Sequence, residues 1–93
     1  MPKIPVEKAK MIDIVAELKM VEAAVENESE KMRDSITNRY ADQILTHYGV
    51  SKTDFDTSLA VIHRHENYFK TFLVEVVQNL ENRRKTDSLV LVK

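Results

Sequence analysis

The chain has 93 residues, 43% of them hydrophobic, with fourteen basic and fifteen acidic side chains and no cysteine. That length suits one domain built on one modest core. The near-zero net charge argues against whole-domain attraction to nucleic acid or an anionic membrane, and the missing thiols exclude disulfides and thiolate metal sites without pointing to a redox compartment. No apolar run is long enough to span a bilayer. The opening Met1-Pro2-Lys3-Ile4-Pro5 has no apolar core of a signal peptide. A processed chain would read the same way, so no compartment follows.

Two prolines and a single glycine favour long helices over sheets and tight turns. The first helix is predicted from about Pro5 to Asn27. Pro5 suits the first helical position, where a missing N–H is no loss, and Glu7 then complements the dipole of the first turn. Met11, Ile14, Leu18, Val21 and Val25 form one helical stripe, widened by Ile12, Val15 and Ala24. Glu7, Lys8, Lys10, Asp13, Glu17, Lys19, Glu22 and Glu26 supply the solvated side. Residues 27–31 are polar throughout and read as a connection or a frayed continuation.

The second helix carries Met32, Ile36, Tyr40, Ile44 and Tyr48 four apart, with Leu45 in the adjacent row. It stops at Gly49, where a helix C-terminus needs a left-handed backbone. Ser51 and Asp54 have the spacing of an N-terminal cap with a third-position carboxylate, so a helical hairpin is predicted around Gly49. The third helix presents Phe55, Leu59 and Ile62, with Ala60 and Val61 beside them. The fourth presents Phe69, Phe72, Leu73, Val76, Val77 and Leu80. Its polar face holds Lys70, Glu75, Gln78, Asn79 and Glu81, and Arg83, Arg84 and Lys85 lie towards its C-terminus. Phe55, Ile62, Phe69 and Val76 are spaced by sevens, so periodicity also allows one continuous helix. The polar cluster Arg64-His65-Glu66-Asn67 is the hint of a break, with Asn67 as cap. Residues 1–85 make the helical domain. Residues 86–93, with the β-prone Leu89-Val90-Leu91-Val92, form a tail that docks, pairs with another chain or stays disordered.

Few constellations invite chemistry. In His63-x-His65 the imidazoles lie two apart and point to opposite sides of a helix, so they do not converge on a metal. His47 is distant in the chain. Ser51, Ser58 and the histidines form no nucleophile motif, and one glycine cannot build a phosphate loop. Glu17 with Glu22, and Asp54 with Asp56, read as solvated side chains and caps rather than paired acids. Met11, Met20 and Met32 read as core packing. No catalytic, cofactor-binding or metal-ligating residue is assigned, and no enzyme activity or cofactor is expected. The Gly49-Val50-Ser51 joint also resembles a DNA-binding helix-turn-helix, but Asp54 and Asp56 at the start of the third helix would face phosphates, so no nucleic-acid partner is expected.

Several ordered segments carry a family likeness. They are Pro5, Met11-Ile12-x-Ile14-Val15-x-Glu17-Leu18 with Glu22-Ala23, Tyr40-x-x-x-Ile44-Leu45-x-x-Tyr48-Gly49-Val50-Ser51, Phe55-Asp56-x-Ser58-Leu59 and Val76-x-x-x-Leu80. From about Ile4 to Arg83 the chain resembles small bacterial envelope lipoproteins known only as a domain of unknown function, the DUF4296 type. Departures are Glu17-Leu18-Lys19 where members often have Asp-Leu-His, Val61-Ile62 in place of two aromatics, and Glu66-Asn67 where a proline commonly follows. The resemblance implies an all-helical fold and an envelope location. It places a lipid-carrying cysteine just before Met1, so the membrane would be reached only through that anchor. It also implies a likeness to the helical chaperone segments flanking parvulin-type prolyl isomerases.

The expectation is thus an all-α, single compact domain of about four helices, acting as a non-catalytic protein-binding or scaffold module. The alternatives are a chaperone-like helical module and, behind it, a helix-turn-helix DNA binder. Tyr68, Val61 or Leu89–Val92 would meet a protein partner where they stay exposed, and the spacing of the stripes also suits association between copies.

Overall fold

Four helices follow one another as the periodicity predicts: α1 (Lys8–Ala24), α2 (Glu30–Tyr48), α3 (Lys52–Arg64) and α4 (Glu66–Val92). The computed structural model describes residues 3–92, with side chains as far as Arg83; no strand occurs among the described residues. α1 packs against both α2 and α4, and α3 packs against α4. One core joins them, in which Met11, Ile14, Ala16, Ile62 and Phe72 are buried almost completely.

α1 starts later than expected. Pro5 precedes the helix rather than opening it, and Glu7 occupies the cap position without a side-chain bond. Glu7 keeps an extended ψ of 138°, so helical dihedrals begin only at Lys8. Val6, just before it, is buried, and its amide N–H donates to the Oγ of Ser58, 3.0 Å away in α3. An amide ahead of the first turn has no intrahelical acceptor, and this contact supplies one at the entry to α1. The other end closes at Ala24, where the Val25 amide donates to the Val21 carbonyl. Residues 25–29 are therefore a connection, not a frayed continuation. Ser29 ends it by accepting the Met32 amide on its Oγ, which caps α2.

α1 is buried on two sides. Ile14 and Ala16 are both fully covered, yet residues two apart on a helix point to nearly opposite sides. Lys8, Ile12 and Ala16 form one row, and Lys8 is bonded to Glu75 of α4; α4 lies over this row. Leu18 and Val25, on the other side, line clefts shared with α2. The small Ala16 lets α4 approach closely. The expected solvated side of α1 is thus corrected at Lys8, Asp13 and Glu17, which are half-buried between helices. Ala24, expected to widen the apolar stripe, is exposed.

The joint at Gly49 forms as predicted. Gly49 is left-handed (φ 67°), its N–H donates to the Thr46 carbonyl, and the Val50 N–H reaches back to Leu45. Two residues on, the Ser51 Oγ accepts the Asp54 amide at 3.1 Å and α3 begins. Between α3 and α4 the chain does break, but at His65 rather than at Asn67. His65 has extended dihedrals (φ −106°, ψ 91°), and its N–H donates to the Ile62 carbonyl. A one-residue interruption barely disturbs the seven-residue spacing, so Phe55, Ile62 and Val76 still share the core, with Phe69 packed against it.

Two expected stripes are only partly covered. Met32 and Tyr40 of α2 stay exposed, as does Met20 of α1, so of Met11, Met20 and Met32 only Met11 is core. A row of residues four apart drifts about 40° per step around a helix, which carries Met32 away from the face that holds Ile44. On α4, Leu73 and Val77 are exposed although they lie beside the buried Phe72 and Val76.

Two substitutions test these supports. A Cβ at position 49 would meet no neighbouring atom within 4 Å, so Gly49→Ala is expected to cost about 1–2 kcal/mol through its positive φ alone. Gly49→Asn should cost less, both being read from urea midpoints. Ser58→Ala should destabilise by about 1–3 kcal/mol by orphaning a buried amide, and hydrogen exchange at Val6 should accelerate more than at Ile14.

Candidate functional site

Polar side chains gather where α1 meets the end of α2 and the middle of α4. The Asn79 amide donates to the Asp13 carboxylate at 2.8 Å, and the Arg83 guanidinium reaches the same oxygen at 3.5 Å. Arg83 also donates to Asn79. One turn along α1, the Tyr48 hydroxyl donates to Glu17. This bond to Glu17, followed by partial burial, raises the Tyr48 phenol above its ordinary value of 10.0. Tyr48 is therefore a protonated donor at neutral pH. The seam works as a clamp between helices. A second clamp ties Lys8 to Glu75 at 3.0 Å, with the ammonium 5.2 Å from the centre of the Tyr68 ring.

A surface groove follows the seam between α1 and α2. Its first stretch, of about 520 Å³, lies between the end of α1 and the start of α2, over the largely buried Val25. Its second stretch, of about 330 Å³, is floored by Leu18, Ala41, Leu45 and Phe55 from three helices. Asn38 lines both, so the two adjoin at that residue. Lys52, Asp42 and Asp56 edge the second stretch. After the turn at Gly49 the first turns of α3 bring Phe55 to the same cleft as Leu45 (the last buried residue of α2 before the turn), while the body of α3 packs on α4. The sequence does not announce the groove: Leu18, Leu45 and Phe55 read as core, and Ala41 belongs to no apolar stripe. Their helical spacing gave no sign that three helices would leave a cleft over them.

The residues singled out in the sequence lie apart from this groove, except for Glu22 and Asp56. His63 lies against Phe69 with ring centres 4.4 Å apart, His47 meets Tyr48 edge-on, and His65 places Nδ1 2.9 Å from the Val61 carbonyl. Among the described residues no three His, Asp or Glu side chains are grouped to hold a metal. Glu17 and Glu22 are separated in role, Glu17 bonded to Tyr48 and Glu22 paired with Lys19 at 3.5 Å. Ser51 and Ser58 both serve structure, one as a cap and one as acceptor for Val6. Tyr68 and Val61, considered for partner contact, are half-buried, Tyr68 packing on the core. The side chains of Leu89–Val92 lie outside the described residues. On α4, Leu73, Val74 and Val77 are exposed by 38%, 56% and 52%, a second apolar surface that no sequence stripe distinguished from the core. No helix among the described residues is long and apolar enough to cross a membrane.

Compared with known proteins, the chain matches one family model over residues 2–86, described as Domain of unknown function (DUF4296). No curated protein and no solved structure matches it.

Titration should expose the Tyr48 clamp. A phenol whose value is raised on folding stabilises fully below its unfolded value of 10.0, and that contribution is lost as pH rises through the folded value. Tyr48→Phe is expected to cost about 1 kcal/mol at neutral pH by removing a hydrogen bond to a charged acceptor. The difference between the two proteins should shrink above pH 10, followed by urea unfolding across the alkaline range.

Proposed function

The chain belongs to the DUF4296 family, and we propose that it is a non-catalytic protein-binding module of the bacterial cell envelope, with the groove between α1 and α2 as its contact surface. The observation that carries this reading is the second stretch of the groove. It sets four apolar side chains, Leu18, Ala41, Leu45 and Phe55, beneath a polar rim. An apolar floor with a polar edge is the anatomy of a protein-recognition surface. The envelope location rests on the family resemblance, through a lipid anchor preceding this chain.

The helix-turn-helix alternative is poorly served by this geometry. Asp54 sits in the first turn of α3, where it complements the helix dipole, and Asp56 edges the groove. A chaperone-like role is the second reading. It is favoured by the exposed Met20 and Met32, whose flexible thioethers suit variable apolar clients.

A photo-crosslinking side chain placed at the exposed Asn38, in cells producing the full-length protein, tests the main reading. Discrete crosslinked proteins are expected in the membrane fraction from position 38 and not from the exposed Glu81 on α4. A diffuse smear of many proteins would favour the chaperone reading, and no adduct at all would refute both.

A further inference from the structure

The groove is far more acidic than the chain that carries it. Its two stretches are lined by six carboxylates, those of Glu22, Glu26, Glu30, Asp34, Asp42 and Asp56. Against them stand Arg33 and Lys52, leaving a formal charge of −4 where the whole chain carries −1. Among the six, only Glu22 makes an ion pair between described side chains, to Lys19 at 3.5 Å. All six are exposed. By contrast, the carboxylates of Asp13 and Glu75 are matched to cations across helices. The charges edging the groove thus remain available to a ligand.

Beneath these charges lies the apolar floor of Val25, Leu18, Ala41, Leu45 and Phe55. Along α2 the lining runs from Glu30 to Leu45, about 22 Å at the rise of a helix. A facing helix of about fifteen residues spans the same length. We infer that the groove takes a basic amphipathic helix of another protein, its apolar side on Leu18, Ala41, Leu45 and Phe55 and its lysines or arginines against Asp34, Asp42 and Asp56. The assignment rests on the protein-binding reading above and adds the chemistry of the partner. Charge complementarity selects such a helix over an acidic one, since like charges across a desolvated contact are unfavourable. The apolar floor selects it over a merely polybasic strand, which would gain nothing from Leu45 or Phe55.

The test is a titration of the full chain, labelled for NMR, with three synthetic peptides of about sixteen residues, enough to span the groove as helix. One has leucines on one helical face and lysines on the other. The second has glutamates for the lysines, and the third scrambles the lysine peptide. Amide shifts at Leu18, Ala41, Leu45 and Phe55 should follow the first peptide to saturation. The other two should leave them unmoved. Asp42→Lys with Asp56→Lys should weaken the first peptide at least about tenfold. Asp34→Lys alone, at the other end, should weaken it less, and it serves as the folded substitute if the double variant does not fold. Equal binding of the scrambled peptide, unchanged affinity in the charge-reversed variants, or shifts confined to α4 would each overturn the assignment. So would concentration-dependent sedimentation of the protein alone that is abolished by Asp42→Lys, which would give the groove to a second copy. If crosslinking from position 38 persists in the charge-reversed protein, the binding reading stands and this one falls. If the unaltered protein gives no adduct, both fall.

Discussion

The arrangement follows from α1 having to be covered on two opposite sides. Ile14 and Ala16 are both fully buried although they point apart. A helix so placed cannot be satisfied by a single neighbour. α2 covers the Leu18–Val25 side, and α4, arriving more than forty residues later, covers the Lys8–Ala16 side. Each interface is held by apolar packing at its centre and by polar clamps at its edges, Tyr48 with Glu17 and Asn79 with Asp13. Burial stabilises without direction; the clamps add direction, because a misrotated α1 would leave Asp13 and Glu17 half-buried without their donors. α3 does not share in this sandwich. It packs on α4 and reaches the start of the chain through Ser58 and Val6.

The groove is a by-product of the same constraint. Because α1 spends both sides on neighbours, the seam between α1 and α2 is closed by α3 only at one end, where Phe55 comes up beside Leu45. Gly49 sets that approach, since its left-handed backbone lets two helices turn within a three-residue connection. The remainder of the seam stays open, and its edges carry the charge that the core could not accept.

What could be read from the residues alone was whatever is written locally. Gly49 and Ser51 announce a stop and a start because both act through their own backbone neighbours. The four apolar stripes gave the helix count and most of the core. Ser29 was a cap in plain view, but it lacks a carboxylate three residues on, so the polar run around it looked like linker. Lys8, Asp13 and Glu17 were read as solvated because a charged residue between helices has the same letter as one in water. Nothing in the sequence marks Ala16 or Ser58 as buried; a small residue shows its importance only when a neighbour arrives to cover it. The open faces of α2 and α4 were illegible for the converse reason. Periodicity says which side of a helix is apolar, not whether another element lies over it.

The bond between Val6 and Ser58 has a bearing on the order in which the molecule can assemble. The two groups are separated by 52 positions, so during synthesis Val6 waits, without its acceptor, until α3 has emerged. α1 and α2 can meet early across a short connection, whereas the start of α1 is sealed only once α3 and α4 arrive. Closing such distant contacts carries a larger entropy cost than closing local ones. The entry to α1 is thus among the last parts of the helical domain to find its place.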